Sequence, residues 1–142
     1  MTPDMPLVAT LLDWIDATSP YETEALREVP PRIIFCARGE HIPYGEGELV
    51  VDRALEGAYD PSARLIYLPQ PWDAANLWDR SVLLHELVHF VQLESRLWDC
   101  INATEQEAYA LQQRWLAGQG IAWEYDALLV FFRSRCPRDV HP

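Results

Sequence analysis

The chain has 142 residues, a net charge of -11 and a pI near 4.6, with 49% hydrophobic and 11% aromatic residues. That length and composition fit one globular domain with a real core and exclude a disordered chain. The acidic balance, with Arg as the only basic residue besides His, argues against nucleic acid or an anionic membrane as partner.

No run approaches the ~20 apolar residues that a bilayer span needs. The start, Met1-Thr2-Pro3-Asp4-Met5, lacks the basic opening and apolar core of a signal peptide. The expectation is a cytoplasmic protein, or an exported one whose leader was removed.

Leu7, Val8, Leu11, Leu12 and Ile15 recur at helical spacing and predict an amphipathic helix over 5–18, ended by Pro20. A short helix is expected over 22–28, before Pro30-Pro31 breaks the chain. The β-branched and aromatic stretch 32–36 predicts a strand. Residues 41–48, with Pro43, Gly45 and Gly47, read as a loop. Residues 58–60 and 64–68 flank a Pro61-Ser62 turn and predict a hairpin. A long helix starting between 73 and 79 should run to about 95. Another is expected over 104–116, ended by Gly118 and Gly120, and a last one over 123–133. The fold class is therefore α+β, a small sheet beside a helical core, in one domain over 1–142.

The long helix carries His85-Glu86-Leu87-Val88-His89 in an apolar run. Histidines at i and i+4 project from one helix face and can share a cation, and the Glu between them can polarise a bound water. The bland alternative, two satisfied core histidines and a surface Glu, leaves costly polar groups in an apolar helix. A catalytic zinc needs a third protein ligand and one open position. A metzincin would place a third His at 95, where this chain has Ser. The next helix offers Glu107, eighteen residues past His89, with Glu105 as rival. The two sit about 200° apart round a helix, so one of them faces the metal.

The stretch His85-Glu86-Leu87-Val88-His89-Phe90-Val91-Gln92, followed by Glu107-Ala108, resembles the gluzincin zinc peptidases, in which a ligand Glu directly precedes Ala on the downstream helix. The small size resembles their compact members, the minigluzincins. The wider string through Gln112 is similar to an uncharacterised family of bacterial zincin-like domains. The resemblance covers about residues 58–116. It implies a zincin-like fold, Zn²⁺ held by His85, His89 and Glu107, and Glu86 as general base and then general acid in peptide-bond hydrolysis. It also implies that the edge strand above the metal, here 64–68, binds an extended peptide, with Arg64 and Tyr67 along the groove. One departure is Leu111, where thermolysin-like members carry an Asp that orients a ligand His. The orienting partner must come from elsewhere, with Asn102, Glu105, Asp79 or a backbone carbonyl as candidates. Tyr109, Tyr44, His41 and Tyr125 are candidates to stabilise the oxyanion.

Trp72, Trp78, Trp98, Trp115 and Trp123 flank the site helices and read as junction packing. Cys36, Cys100 and Cys136 are either buried thiols or include a Cys100–Cys136 disulfide that ties the C-terminal segment to the metal site and favours export. Two functions follow as expectations: a zinc metallopeptidase acting on a peptide or protein substrate, or a non-catalytic zinc-binding regulatory or interaction module. Glu86 favours the first, because a structural site needs no base.

Overall fold

A computed structural model describes residues 5–137; residues 1–4 and 138–142, His141 among them, lie outside it. Helix α1, Met5–Thr18, buries the predicted stripe of Leu7, Val8, Leu11, Leu12 and Ile15. The expected helix over 22–28 is shorter, a 3-10 turn at Ala25–Glu28. The chain ahead of that turn is pinned to the end of α1. The Thr23 amide and hydroxyl donate to Asp16 at 2.7 and 2.8 Å, and Arg27 pairs with Asp13 and Asp16 at 2.7 Å each.

Strand β1, Arg32–Cys36, follows as predicted. Residues 41–48, expected to be a loop, instead belong to a hairpin of β2, His41–Tyr44, and β3, Gly47–Val50. Gly45, at φ 59°, takes the left-handed conformation that a two-residue hairpin turn requires. Pro43 is tolerated because a two-stranded ribbon has only edge strands.

Strand β4, Ala58–Asp60, pairs antiparallel with β5, Leu65–Pro69, whose other side pairs parallel with β1. The sheet order is β1-β5-β4. The expected edge strand over 64–68 is therefore the centre of the sheet, with hydrogen-bond partners on both sides. It has no free edge for a peptide.

Helix α2, Leu77–Ser95, opens on an Asn76 cap whose side chain accepts from the Asp79 amide at 3.0 Å. Every residue from 81 to 92 is buried. A helix apolar all round belongs in the interior, and α2 packs against α1, β4, β5 and the following helix. A 3-10 turn, Ile101–Thr104, leads into α3, Glu105–Gly118. Helix α4, Ala127–Arg133, starts four residues later than predicted, where Asp126 caps the Leu129 amide at 3.0 Å. A disulfide joins Cys100 to Cys136, while Cys36 is free and buried. No described helix is long and apolar enough to cross a membrane. The architecture is a compact α+β domain of four helices and a small mixed sheet, with α2 at its centre.

Candidate metal centre

His85 and His89 leave one face of α2 one turn apart, with their Nε2 atoms 3.1 Å from each other. Glu105, the first residue of α3, closes the group. Its Oε1 lies 3.4 Å from His85 Nε2 and 2.5 Å from His89 Nε2. Among the described residues this is the one cluster of three or more His, Cys, Asp or Glu able to share a cation.

The third member is Glu105, whereas the Glu-Ala pattern had pointed to Glu107. The reason is angular. Positions 105, 108, 109 and 112 share the face of α3 that meets α2: Ala108 is fully buried, Tyr109 packs edge-on against His85 at 4.7 Å, and Gln112 reaches His85. Glu107 is about 200° round from Glu105. It accepts from Gln92 Nε2 at 2.9 Å and from the Tyr21 hydroxyl, so it stands behind the site.

The surrounding hydrogen bonds determine the tautomers. Gln112 Nε2 donates to Ser81 Oγ at 3.0 Å, whose own proton goes to Trp78 O. Gln112 Oε1 must therefore face His85 Nδ1, 2.9 Å away, and that nitrogen carries a proton. Gln92 Nε2 donates to Thr104 O at 3.0 Å and to Glu107, so Gln92 Oε1 faces His89 Nδ1 at 3.1 Å. Thr104 Oγ1 gives its proton to Ile101 O and accepts from the same His89 nitrogen at 3.0 Å. Both Nδ1 atoms are thus donors.

Where both rings are neutral, both Nε2 atoms then turn lone pairs toward one another and toward a carboxylate. That arrangement is repulsive unless a cation, or a proton shared with Glu105, lies between them. Ligands ~2.0–2.2 Å from a tetrahedral ion are roughly 3.3–3.6 Å apart; the 3.1 and 3.4 Å spacings approach this, while the 2.5 Å between His89 Nε2 and Glu105 is a hydrogen-bond distance that an ion would have to widen. The residues present fit a divalent metal ion.

The orienting groups are Gln112, Gln92 and Thr104, none of them among the sequence candidates. Asn102 donates to Arg135 O at 3.4 Å, and Asp79 accepts from the Asp73 amide at 2.9 Å near the start of α2. A usable signal existed in Gln92, a polar residue three positions after His89 in an apolar run, on the same helix face.

The cluster opens into a cleft of about 530 Å³ that Glu86, Tyr109, Tyr44, Glu56 and Arg133 also line. The Glu86 carboxyl makes no hydrogen bond among the described residues, and burial pushes it up to about 7. It lies under Gly57, where an added Cβ would stand 2.9 Å from Val82 Cγ1 and 3.3 Å from Glu86 Oε2. Only glycine lets the chain pass so close over α2. For Glu105, burial raises the pKa, but a proton on the His85 or His89 Nε2, donated to it, lowers it by more, and the carboxylate is then held well below its usual range.

Of the four candidate oxyanion donors, Tyr109 and Tyr44 line the cleft. The Tyr44 hydroxyl is committed to Tyr59 O at 2.8 Å, whereas the Tyr109 hydroxyl has no hydrogen-bond partner among the described residues. Tyr125 packs on Tyr109 at 5.4 Å from outside the cleft, and exposed His41, at the start of β2, does not line it and lies 3.2 Å from Glu48. Arg64 and Tyr67 also lie away from it. Arg64 pairs with Glu94 at 3.1 Å, and the Tyr67 hydroxyl donates to Pro43 O at 2.8 Å. The tryptophans pack junctions: Trp78 meets Trp123 edge-on at 5.1 Å, and Trp98 donates to Gln92 O at 2.9 Å beneath the Arg96 guanidinium.

No curated protein and no solved structure matches the chain. A family profile described as "Domain of unknown function (DUF6647)" matches residues 1–142. The chain, with its paired histidines and Glu105 included, therefore belongs to the DUF6647 family.

Proposed function

We propose that this protein is a zinc-dependent metallopeptidase of compact zincin-like type, in which His85, His89 and Glu105 hold the metal and Glu86 is the general base. The observation that carries the reading is the convergence of two imidazole lone pairs and one carboxylate on a point facing an open cleft, with an unpaired Glu86 carboxyl in the same cleft. Two imidazoles, one carboxylate and an open side make the composition of a catalytic zinc site. Zinc bound there would supply Lewis acidity and acidify water toward a pKa of ~7.

The chain's own residues do the rest. Gln112 and Gln92 with Thr104 hold the two imidazoles in the tautomer that binds a cation. Glu86, raised to about 7 by burial, can accept a proton from water near neutral pH and return it to the departing amine. The free Tyr109 hydroxyl faces the cleft and can donate to the developing oxyanion. Because β5 is enclosed in the sheet, the edge strand beside the cleft is β4, where Ala58 and Tyr59 line it, and an extended substrate would pair there. The Cys100–Cys136 disulfide supports an oxidising compartment as the place of work.

The test is Glu86→Gln. Gln is nearly isosteric but cannot take the proton, so zinc content should stay at one per chain while hydrolysis of a quenched peptide library falls ~10²–10⁴-fold. A Glu86→Gln protein that keeps the parental rate overturns the base assignment. A zinc-loaded parent that cleaves nothing in the library replaces the peptidase reading with a non-catalytic zinc module.

A further inference from the structure

The Tyr21–Glu107 pair has no place in the chemistry above, yet through buried Gln92 it ends on a histidine of the proposed metal site. Gln92 is fully buried in α2. Its amide nitrogen is spent on Thr104 O at 3.0 Å and Glu107 Oε1 at 2.9 Å, which leaves its oxygen on His89 Nδ1. Glu107 is fixed in turn by the Tyr21 hydroxyl, from the segment just after α1. Burial, and next to it the Glu107 carboxylate, push Tyr21 up to about 12, so the hydroxyl stays a donor. Tyr21, Glu107 and Arg96 border a second hollow of about 590 Å³, separate from the cleft that holds Glu86.

We propose that Glu107 is a positioning residue for the metal centre: with Tyr21, and alongside the Thr104 carbonyl, it locks the Gln92 amide so that His89 keeps its proton on Nδ1 and its Nε2 lone pair for the ion. A carboxylate is the group suited to this, because it only accepts. A Gln at 107 has its own amide to present and could let Gln92 turn over. His89 would then face an N–H at Nδ1 and move its proton to Nε2, the atom that must bind metal. The inference rests on the proposed metal site and not on the proposed peptidase activity. It explains why two glutamates separated by one residue on α3 are both tied to the same histidine, Glu105 directly and Glu107 through Gln92.

The experiment uses the full chain with zinc as the only ligand. Two-bond ¹H–¹⁵N spectra of the metal-free protein report each imidazole's tautomer, and chelator competition reports the zinc dissociation constant. In the parent, His89 should be the Nδ1–H form. In Glu107→Gln the Nε2–H form should gain population and zinc should bind 10–100-fold more weakly, still at one per chain. A merely structural Glu107 would lower the unfolding temperature and leave the tautomer unchanged. If Glu107→Gln fails to fold, Tyr21→Phe removes one hydroxyl far from the cleft and should move both readouts in the same direction by less. An unchanged tautomer and zinc constant in the folded variant overturns the proposal. So does loss of the zinc in Glu107→Gln with its retention in Glu105→Ala, since Glu107 would then be the ligand. Neither readout depends on whether any peptide is cleaved.

Discussion

Glu105 is the residue on which the metal reading balances. Burial alone would favour a neutral carboxyl there, yet two imidazole nitrogens within 3.4 Å hold it as the anion. A half-buried carboxylate facing two nitrogen lone pairs calls for a cation or a shared proton between them. Glu105→Ala should therefore lose the metal, measured as zinc per chain after dialysis against a weak chelator, because two histidines alone compete poorly with water. His89→Ala should do the same. Glu107→Ala should keep one zinc, bound more weakly. A Glu105→Ala protein that holds zinc at full stoichiometry would mean that the ion takes a different third ligand.

At the scale of elements, the site depends on how α3 is delivered to α2. The connection over 96–104 has little regular structure beyond its final 3-10 turn, and Leu97 on it is 97% exposed. It is held by the Trp98 indole on Gln92 O, by Asn102 on Arg135 O, and by the disulfide from Cys100 to Cys136 beyond α4. The bridge thus anchors the turn that presents Thr104 to His89 and starts α3 at Glu105. With its cysteines 36 positions apart in sequence, it restricts the unfolded chain enough to contribute about 4 kcal/mol on loop-entropy grounds. Replacing both cysteines by Ser should lower the free energy of unfolding by up to that amount in a denaturant titration. A change under about 0.5 kcal/mol would show that the other contacts hold the segment unaided. Thiol counting on unfolded, unreduced parent protein should find one thiol, that of Cys36.

For the whole molecule, the proposed metal site and the fold are linked through α2. The same twelve consecutive buried residues form the centre of the core and carry both histidines and Glu86. An ion that binds only the folded chain stabilises it by RT ln(1 + [L]/Kd), about 2.7 kcal/mol at a hundredfold excess over Kd. Zinc should raise the unfolding temperature and a chelator should lower it. The effect should vanish in His85→Ala. A parent whose unfolding temperature ignores zinc would have no site tied to the fold.

Sequence by itself determined the elements whose signal is local. The apolar stripe of α1, the β-branched run of β1, the apolar length of α2 and the His85-Glu86-Leu87-Val88-His89 spacing are periodicities within one segment, and the helix and strand geometries read them directly. The hairpin of β2 and β3 escaped because Gly45 and Pro43 mark a loop and a tight two-strand ribbon alike; cross-strand pairing of His41 with Val50 decides between them. The sheet order was equally out of reach. Residues 64–68 look the same in sequence whether or not β1 pairs alongside them. At the candidate metal centre, helical spacing established that only one of Glu105 and Glu107 faces the histidines, but the choice belongs to tertiary structure. It depends on where α3 begins and which of its sides meets α2, a matter of about 200° of rotation that packing of Ala108, Tyr109 and Gln112 sets. The tautomers of His85 and His89 were decided in the same way, by Gln112, Gln92 and Thr104, because a hydrogen bond across two helices is specified by distance in space and leaves no periodic trace along the chain.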